Sequence, residues 1–326
     1  MPHTAHDAFV AAYRLDTRGH GTAITQDALL QTWRQCNDPL WLHLDLTAPS
    51  NIEHYLHDIA QLDTTQCTAM CEEVTRPRVA HFGNGLLTTL RGINTSPEAE
   101  YDDLVTLRIF MSSNRLITVR RRPLKPIEDV MGLLAEGAGP HSAPELLGML
   151  ADRIVDQFGD RMTALDETLS ELEKQQLDEG DVDMDQLSVL RRPMITLRQF
   201  MEPQYACLSR LAEATDGLEP MTRLIMRESA NQQYRYIEDV RAMQERALIL
   251  QEQMWNSHNE KLNNRLYQLS FISVLFLPLS FLTGLLGINV DGMPGSHDAP
   301  YAFWAVVGIC IVLTIALIVM MKRWNR

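Results

Sequence analysis

The chain has 326 residues, 45% of them hydrophobic, and a formal net charge of -13 at neutral pH. That length admits two domains, and the excess of acid excludes nucleic acid as a partner. Cys36, Cys67, Cys71, Cys207 and Cys310 are odd in number and irregularly spaced, which excludes a disulfide framework and suits a reducing cytosol.

The opening run, MPHTAHDAFVAAYRLD, lacks the apolar core of a signal peptide, so the front domain is expected to stay in the cytosol. Leu40, Leu42, Leu44 and Leu46 alternate with Trp41, His43 and Asp45; this is strand periodicity with one apolar face. Residues 52–60 and 65–74 read as helices. Residues 79–82 and 86–93 flank Gly83-Asn84-Gly85, a triplet that tolerates positive φ and so predicts a hairpin. A second hairpin is predicted from 104–111 and 115–120 around Ser112-Ser113-Asn114. These elements make an α/β domain over residues 1–142, closing in the loop EGAGPHSAP.

Beyond Pro144 the spacing becomes helical. Leu147, Leu150, Ile154, Phe158, Met162, Leu165, Leu169 and Leu172 recur at three and four, as do Leu187, Leu190, Met194, Leu197 and Met201. An antiparallel pair of long helices turning at Gly180 follows, the second bent at Pro193 and Pro203. A third pattern runs through Ile225, Ser229, Tyr236, Val240, Met243, Ala247, Leu250 and Met254, with no glycine between Gly217 and Gly284. Unbroken, that helix would be on the order of 100 Å long. Residues 143–265 therefore form a helical stalk.

Two charge-free stretches, 266–290 and 299–321, each exceed the roughly 20 residues needed to cross a bilayer. They predict two transmembrane helices, with membrane lipid as a partner. Lys261 and Arg265 precede the first and Lys322, Arg323 and Arg326 follow the second, while loop 291–298 has no Lys or Arg. Positive charge held inside places both termini and the basic tail 322–326 in the cytoplasm and the loop in the periplasm.

No phosphate-binding loop, HExxH, nucleophile elbow or paired CxxC is present, so an enzyme is not expected. The run DVDMDQ opens like a calcium loop, but Gln186 replaces the turn glycine and Arg192 the bidentate glutamate. It reads as an acidic helix tip, continuous with Asp166, Glu167, Glu171, Glu173, Asp178 and Glu179. A solvated face is the plain reading of this patch; concentrating cations is the alternative. His54 and His57 stand one turn apart beside Glu53, as do Cys67 and Cys71 beside Glu72. Each pair offers two soft ligands but does not complete a tetrahedral site.

In the first span Ser273, Ser280 and Gly284 share a face with Leu266, Leu269 and Leu277, and Asn263 lies close to it. Pro278 frees the carbonyl of Val274. Hydroxyls and freed carbonyls at membrane depth must face protein or a watery path; close helix packing against small residues is the alternative. Leucine rings around an axis would gate by dewetting.

The segment FLPLSFLTGLLGIN, with Gly287-Ile288-Asn289 followed by Met293-Pro294, resembles the end of the first span in the CorA superfamily of divalent-cation transporters. TRPRVAHFGNGLLTTLRGIN is similar to the zinc-transporter branch called ZntB. The resemblance covers essentially the whole chain. It implies a funnel-shaped homopentamer of the bacterial inner membrane, each subunit contributing a cytosolic α/β domain, a long stalk and two C-terminal spans. Asn263, Leu266, Leu269, Ser273, Leu277, Ser280 and Gly284 would then line the pore, with Gly287, Ile288 and Asn289 at its outer mouth. Asp291, His297 and Asp298 would draw cations in, and Glu228 falls near the family's acidic interface position.

Isoleucine in the triplet departs from the Gly-Met-Asn pattern and fits the zinc branch, while Gly295 stands where CorA proteins commonly carry Glu. The expected activity is zinc uptake through a central pore, with no cofactor. Co2+, Ni2+, Cd2+ and Mg2+ remain alternative cargoes. The branch resemblance leans towards proton coupling, although neither span contains Asp, Glu or His. A magnesium, cobalt or nickel channel is the rival transporter; a membrane-anchored oligomeric scaffold or metal sensor is the rival from another class.

Overall fold

A computed structural model describes residues 7–47, 52–72, 76–96, 99, 103–178, 182–214, 219–287 and 301–324. The chain divides into two units, Met1–Gln251 and Glu252–Arg326.

The first unit opens with strand β1 (Phe9–Leu15), β2 (Gly21–Ala23), helix α1 (Gln26–Gln35) and β3 (Leu40–Asp45). A helical turn of π type, α2 (His54–Ile59), and helix α3 (Thr64–Cys71) lead to β4 (Arg78–Phe82), β5 (Gly85–Ile93), β6 (Leu104–Ser112) and β7 (Arg115–Arg120). The seven strands form one sheet in the order β2-β1-β3-β7-β6-β5-β4. Both predicted hairpins are present, with Phe82 paired to Gly85 and Ser112 to Arg115. Gly83 supplies the first turn's positive φ of 60°, whereas Ser113 adopts 49° without a glycine. The β3–β7 pair is parallel and central.

β3 differs from its sequence pattern. Leu40, Leu42 and Leu44 face a core with Leu29, Trp33, Tyr55, Leu56 and Met70 from α1, α2 and α3. Trp41 and His43, on the opposite face, are buried as completely. Alternation failed as an indicator because the sheet is covered on both sides, which removes the solvent face that would leave polar residues exposed.

Helix α4 (Lys125–Glu136) starts with Pro126 in its first turn and ends at Gly137 in the left-handed conformation, a stop signal that needs no Cβ there. The remaining helices of this unit are α5 (Ala143–Asp178), α6 (Met184–Ala214) and the first turns of α7 (Pro220–Leu286). α5 lies on β5, β6 and β7, and α6 on β4 and β5.

Every apolar position named above on α5 and α6 is buried. Gln232 on α7 reaches Asp156 on α5, and Arg246 reaches Asp166 and Glu173, so the two helices run parallel. Arg191 bonds Gln251, Arg198 bonds Gln244 and Arg241 bonds Glu202, so α6 runs antiparallel to α7. The α5–α6 pair is thus antiparallel, as predicted; its turn at Gly180 lies outside the described residues. α6 is continuous through Pro193 and Pro203. Asp183 accepts from the Asp185 amide at 3.0 Å, serving the start of α6 as a local cap.

The second unit contains the rest of α7 and helix α8 (Ala302–Trp324). α7 has 67 residues and continues through Pro278, giving a helix on the order of 100 Å long.

Candidate functional site

α7 is long and apolar enough to cross a membrane, and α8 carries a shorter apolar stretch, Trp304–Met320. At 100° per residue, Asn263, Leu266, Leu269, Ser273, Leu277, Ser280, Gly284 and Gly287 fall within roughly 120° of the α7 circumference. Leu266, Leu269 and Leu277 are 61%, 62% and 72% exposed in the single chain. Ile272 and Leu285, off that stripe on the same helix, are each 51% exposed. A helix with uncovered apolar surface all round must be covered by lipid or by other chains.

Ser273 donates to the Leu269 carbonyl at 3.0 Å, and Thr283 lies 2.9 Å from the Leu279 carbonyl and 3.2 Å from that of Ser280. Hydroxyls bonded to their own helix carry no unmet donor at membrane depth, yet their oxygens can still accept from water. A Cβ added at Gly284 would meet nothing within 4 Å, so this turn leaves room for close approach by a neighbour. The Gly287 amide bonds the carbonyls of Thr283 at 3.0 Å and Gly284 at 3.2 Å, ending α7. Ile288, Asn289, Asp291, His297 and Asp298 lie outside the described residues.

The two pairs of candidate soft ligands meet different surroundings in the structure. Asp58 holds both histidines: His54 Nδ1 at 2.9 Å from Oδ2 and His57 Nδ1 at 3.0 Å from Oδ1. The two imidazoles, His57 first, hold the Asp58 carboxyl below its usual range. His57, but not His54, joins Cys67 and Cys71 around a cavity of about 500 Å³, with Glu53 and Glu72.

The i, i+4 spacing puts both sulfurs on one face of α3. Asp63 accepts from the Gln66 amide while the Gln66 side chain accepts from the Asp63 amide, a capping box that fixes where α3 begins. At its other end the buried Arg108 guanidinium donates to the Glu72 carbonyl. Burial pushes the Cys67 thiol up to about 11, with negative charge at Cys71, Asp63 and Glu53 adding to it, and also raises Cys71.

Glu228 is exposed on α7, its Oε1 3.1 Å from Arg235 Nη2, and Arg235 holds its carboxyl below the usual range. Of the acidic patch, Asp166 and Glu173 are engaged by Arg246 and so belong to the packing of α5 against α7. Sequence spacing gave no sign of this clamp, because its partners are more than 70 residues apart.

The family described as CorA-like Mg2+ transporter protein matches residues 37–323. The chain belongs to the CorA family. Among curated members, it is 35% identical over 306 residues to the divalent cation transporter CmaX of Pseudomonas aeruginosa, covering 90% of each chain. It is 33% identical over 311 residues to the zinc transport protein ZntB of Pectobacterium atrosepticum, covering 95% of this chain and 92% of that one. The full-length CmaX structure superposes with a TM-score of 0.83 at 33% identity, covering all of both chains. The CorA fold, an α/β domain with a long helix, is therefore this chain's fold, and its resemblance to the zinc-transporter branch extends over 95% of the sequence.

Proposed function

We propose that this chain transports divalent metal cations across the bacterial inner membrane, with zinc as its cargo and uptake as its direction. It acts as a homopentamer whose α7 helices surround one axial pore, and it is a transporter and not an enzyme. The carrying observation is the exposed stripe on α7, where leucines, hydroxyls and a glycine share one face of the helix's charge-free segment from Leu266 onward. Five copies set about an axis would cover it and give narrow apolar rings at Leu266, Leu269 and Leu277, with hydroxyl oxygens between them. Such a path passes a cation with its waters, because amide and hydroxyl oxygens bind zinc weakly enough to release it. Asn289 amide oxygens would receive the hydrated ion at the outer mouth. Asp291, His297 and Asp298 would raise its local concentration there.

Zinc uptake into proteoliposomes tests the reading. The wild-type chain should load a zinc-sensitive dye, and Asn289→Ala should slow or alter that flux. If liposomes move no zinc, cobalt, nickel or magnesium, transport is excluded; indifference to Asn289→Ala would favour a scaffold. Repeating the assay with and without a pH gradient separates proton-coupled from passive flux.

The 35% identity to a relative named for divalent cations in general favours a second reading, a pore that also admits magnesium, cobalt and nickel. Competition of each against zinc distinguishes the two.

A further inference from the structure

We propose that the cavity between α2 and α3 is a second metal site, built from His57, Cys67, Cys71 and Glu53, which takes a soft divalent cation such as zinc, cadmium or cobalt. It lies in the α/β part of the first unit and involves no residue of the α7 stripe. Its existence does not depend on transport.

Sequence spacing offers two separate pairs of ligands, neither sufficient alone. In the structure His57, and not His54, lines one cavity of about 500 Å³ together with the two cysteines. Two thiolates, an imidazole and a carboxylate make a four-ligand set suited to tetrahedral zinc, and thiolates select against magnesium. Asp58 engages His57 Nδ1 at 3.0 Å, which leaves Nε2 for the metal and orients the ring. Glu72 is tied to Arg78 at 2.9 Å, whereas Glu53 lines the same cavity from its exposed edge. Glu53 is therefore the oxygen ligand of choice.

Among the described residues no three His, Cys, Asp or Glu side chains already stand in metal-binding geometry. Binding thus requires His57 and Glu53, both on the exposed rim, to swing over the cavity. Both cysteines are free thiols, so ligation forms two metal–sulfur bonds and releases two protons to solvent. The bound ion would cross-link α2 to α3.

The test uses full-length protein in detergent. Cobalt should produce thiolate-to-metal charge-transfer absorption that zinc abolishes by displacement. The band should persist in Cys36→Ser and vanish in Cys67→Ser/Cys71→Ser, and Asp58→Ala should weaken zinc binding about tenfold. A second readout needs no variant. Zinc should slow iodoacetamide alkylation of Cys67 and Cys71 together, as read by mass spectrometry, while leaving Cys36 unchanged; magnesium should protect neither. The proposal is overturned if wild-type protein gives no band, if the band survives in the double variant, or if both cysteines alkylate equally fast with and without zinc. Equal protection by magnesium also overturns it.

Discussion

Ser229 Oγ on α7 stands 2.8 Å from Asp152 Oδ1 on α5 and 2.9 Å from the Ile225 carbonyl, so one hydroxyl proton serves two acceptors between packed helices. Burial raises the Asp152 carboxyl above its ordinary value, and the Ser229 bond opposes that rise. The folded chain therefore holds this proton more readily than the unfolded one, and the residue's contribution to stability falls as pH rises above 3.8. Ser229→Ala should cost about 1–2 kcal/mol at neutral pH and less in acid, where Asp152 is protonated. Thermal unfolding in detergent at both pH values checks this; an equal loss at each would rule it out.

His43 carries an acid dependence of its own. It is fully buried, 2.7 Å from Thr118 Oγ1, and burial pushes it down to about 3, with the Arg120 charge adding to the effect. Only the unfolded chain takes up its proton below 6.5. Stability is therefore complete above that pH and is lost as pH falls towards about 3. The full loss is on the order of 5 kcal/mol. His43→Asn, which keeps a polar partner for Thr118 but does not titrate, should flatten the denaturation midpoint between these limits.

Arg246 gathers Glu173, Asp166 and Ser170 of α5 onto α7, its Nε 3.0 Å from Glu173 Oε1 and its Nη2 2.7 Å from Oε2. The grip is bidentate and networked, which places it above an isolated surface pair. Arg246→Met should lower stability by about 1 kcal/mol in dilute salt. The difference should shrink in molar salt, where screening shortens the reach of these charges. Melting curves of both proteins across a salt series measure it.

Gly85 opens β5 directly beneath the buried Phe110 ring, so an added Cβ would overlap the aromatic carbons. Gly85→Ala must displace that ring or the β4–β5 hairpin and should cost about 1–3 kcal/mol by overpacking. Chemical denaturation measures the loss. A neutral result would mean that the ring has room to retreat.

Leu277 tests the proposed pore face. If it forms an apolar ring, Leu277→Asn should wet the constriction and raise zinc flux into proteoliposomes severalfold. Leu275→Asn, on the opposite face of α7, should not raise flux. Equal responses from the two variants would place the axis elsewhere.

Much of the architecture was legible because it depends on local repetition. The three- and four-residue spacing of α5, α6 and α7 located their seams, and the absence of glycine from Gly217 to Gly284 gave the length of α7. Gly83-Asn84-Gly85 marked its hairpin through backbone freedom alone. β3 was harder to read, since a strand buried on both faces has no polar side to betray its orientation. β1, β2, α1 and α4 were not located; their patterns are short and mean little without the sheet against which they pack.

The sequence by itself determined what a chain does with its own neighbours: helical periodicity, turn chemistry, the charge-free stretches, and the alignment of Asn263, Leu266, Ser273, Leu277 and Gly284 on one stripe. Tertiary structure decided what depends on distant partners. Asp58 holds His54 and His57 alike, but only His57 reaches the cavity lined by Cys67 and Cys71. Arg246 turns part of an apparently solvated acidic face into a clamp. Spacing along a helix fixes which side chains share a face; only the packing of one element against another fixes what that face meets.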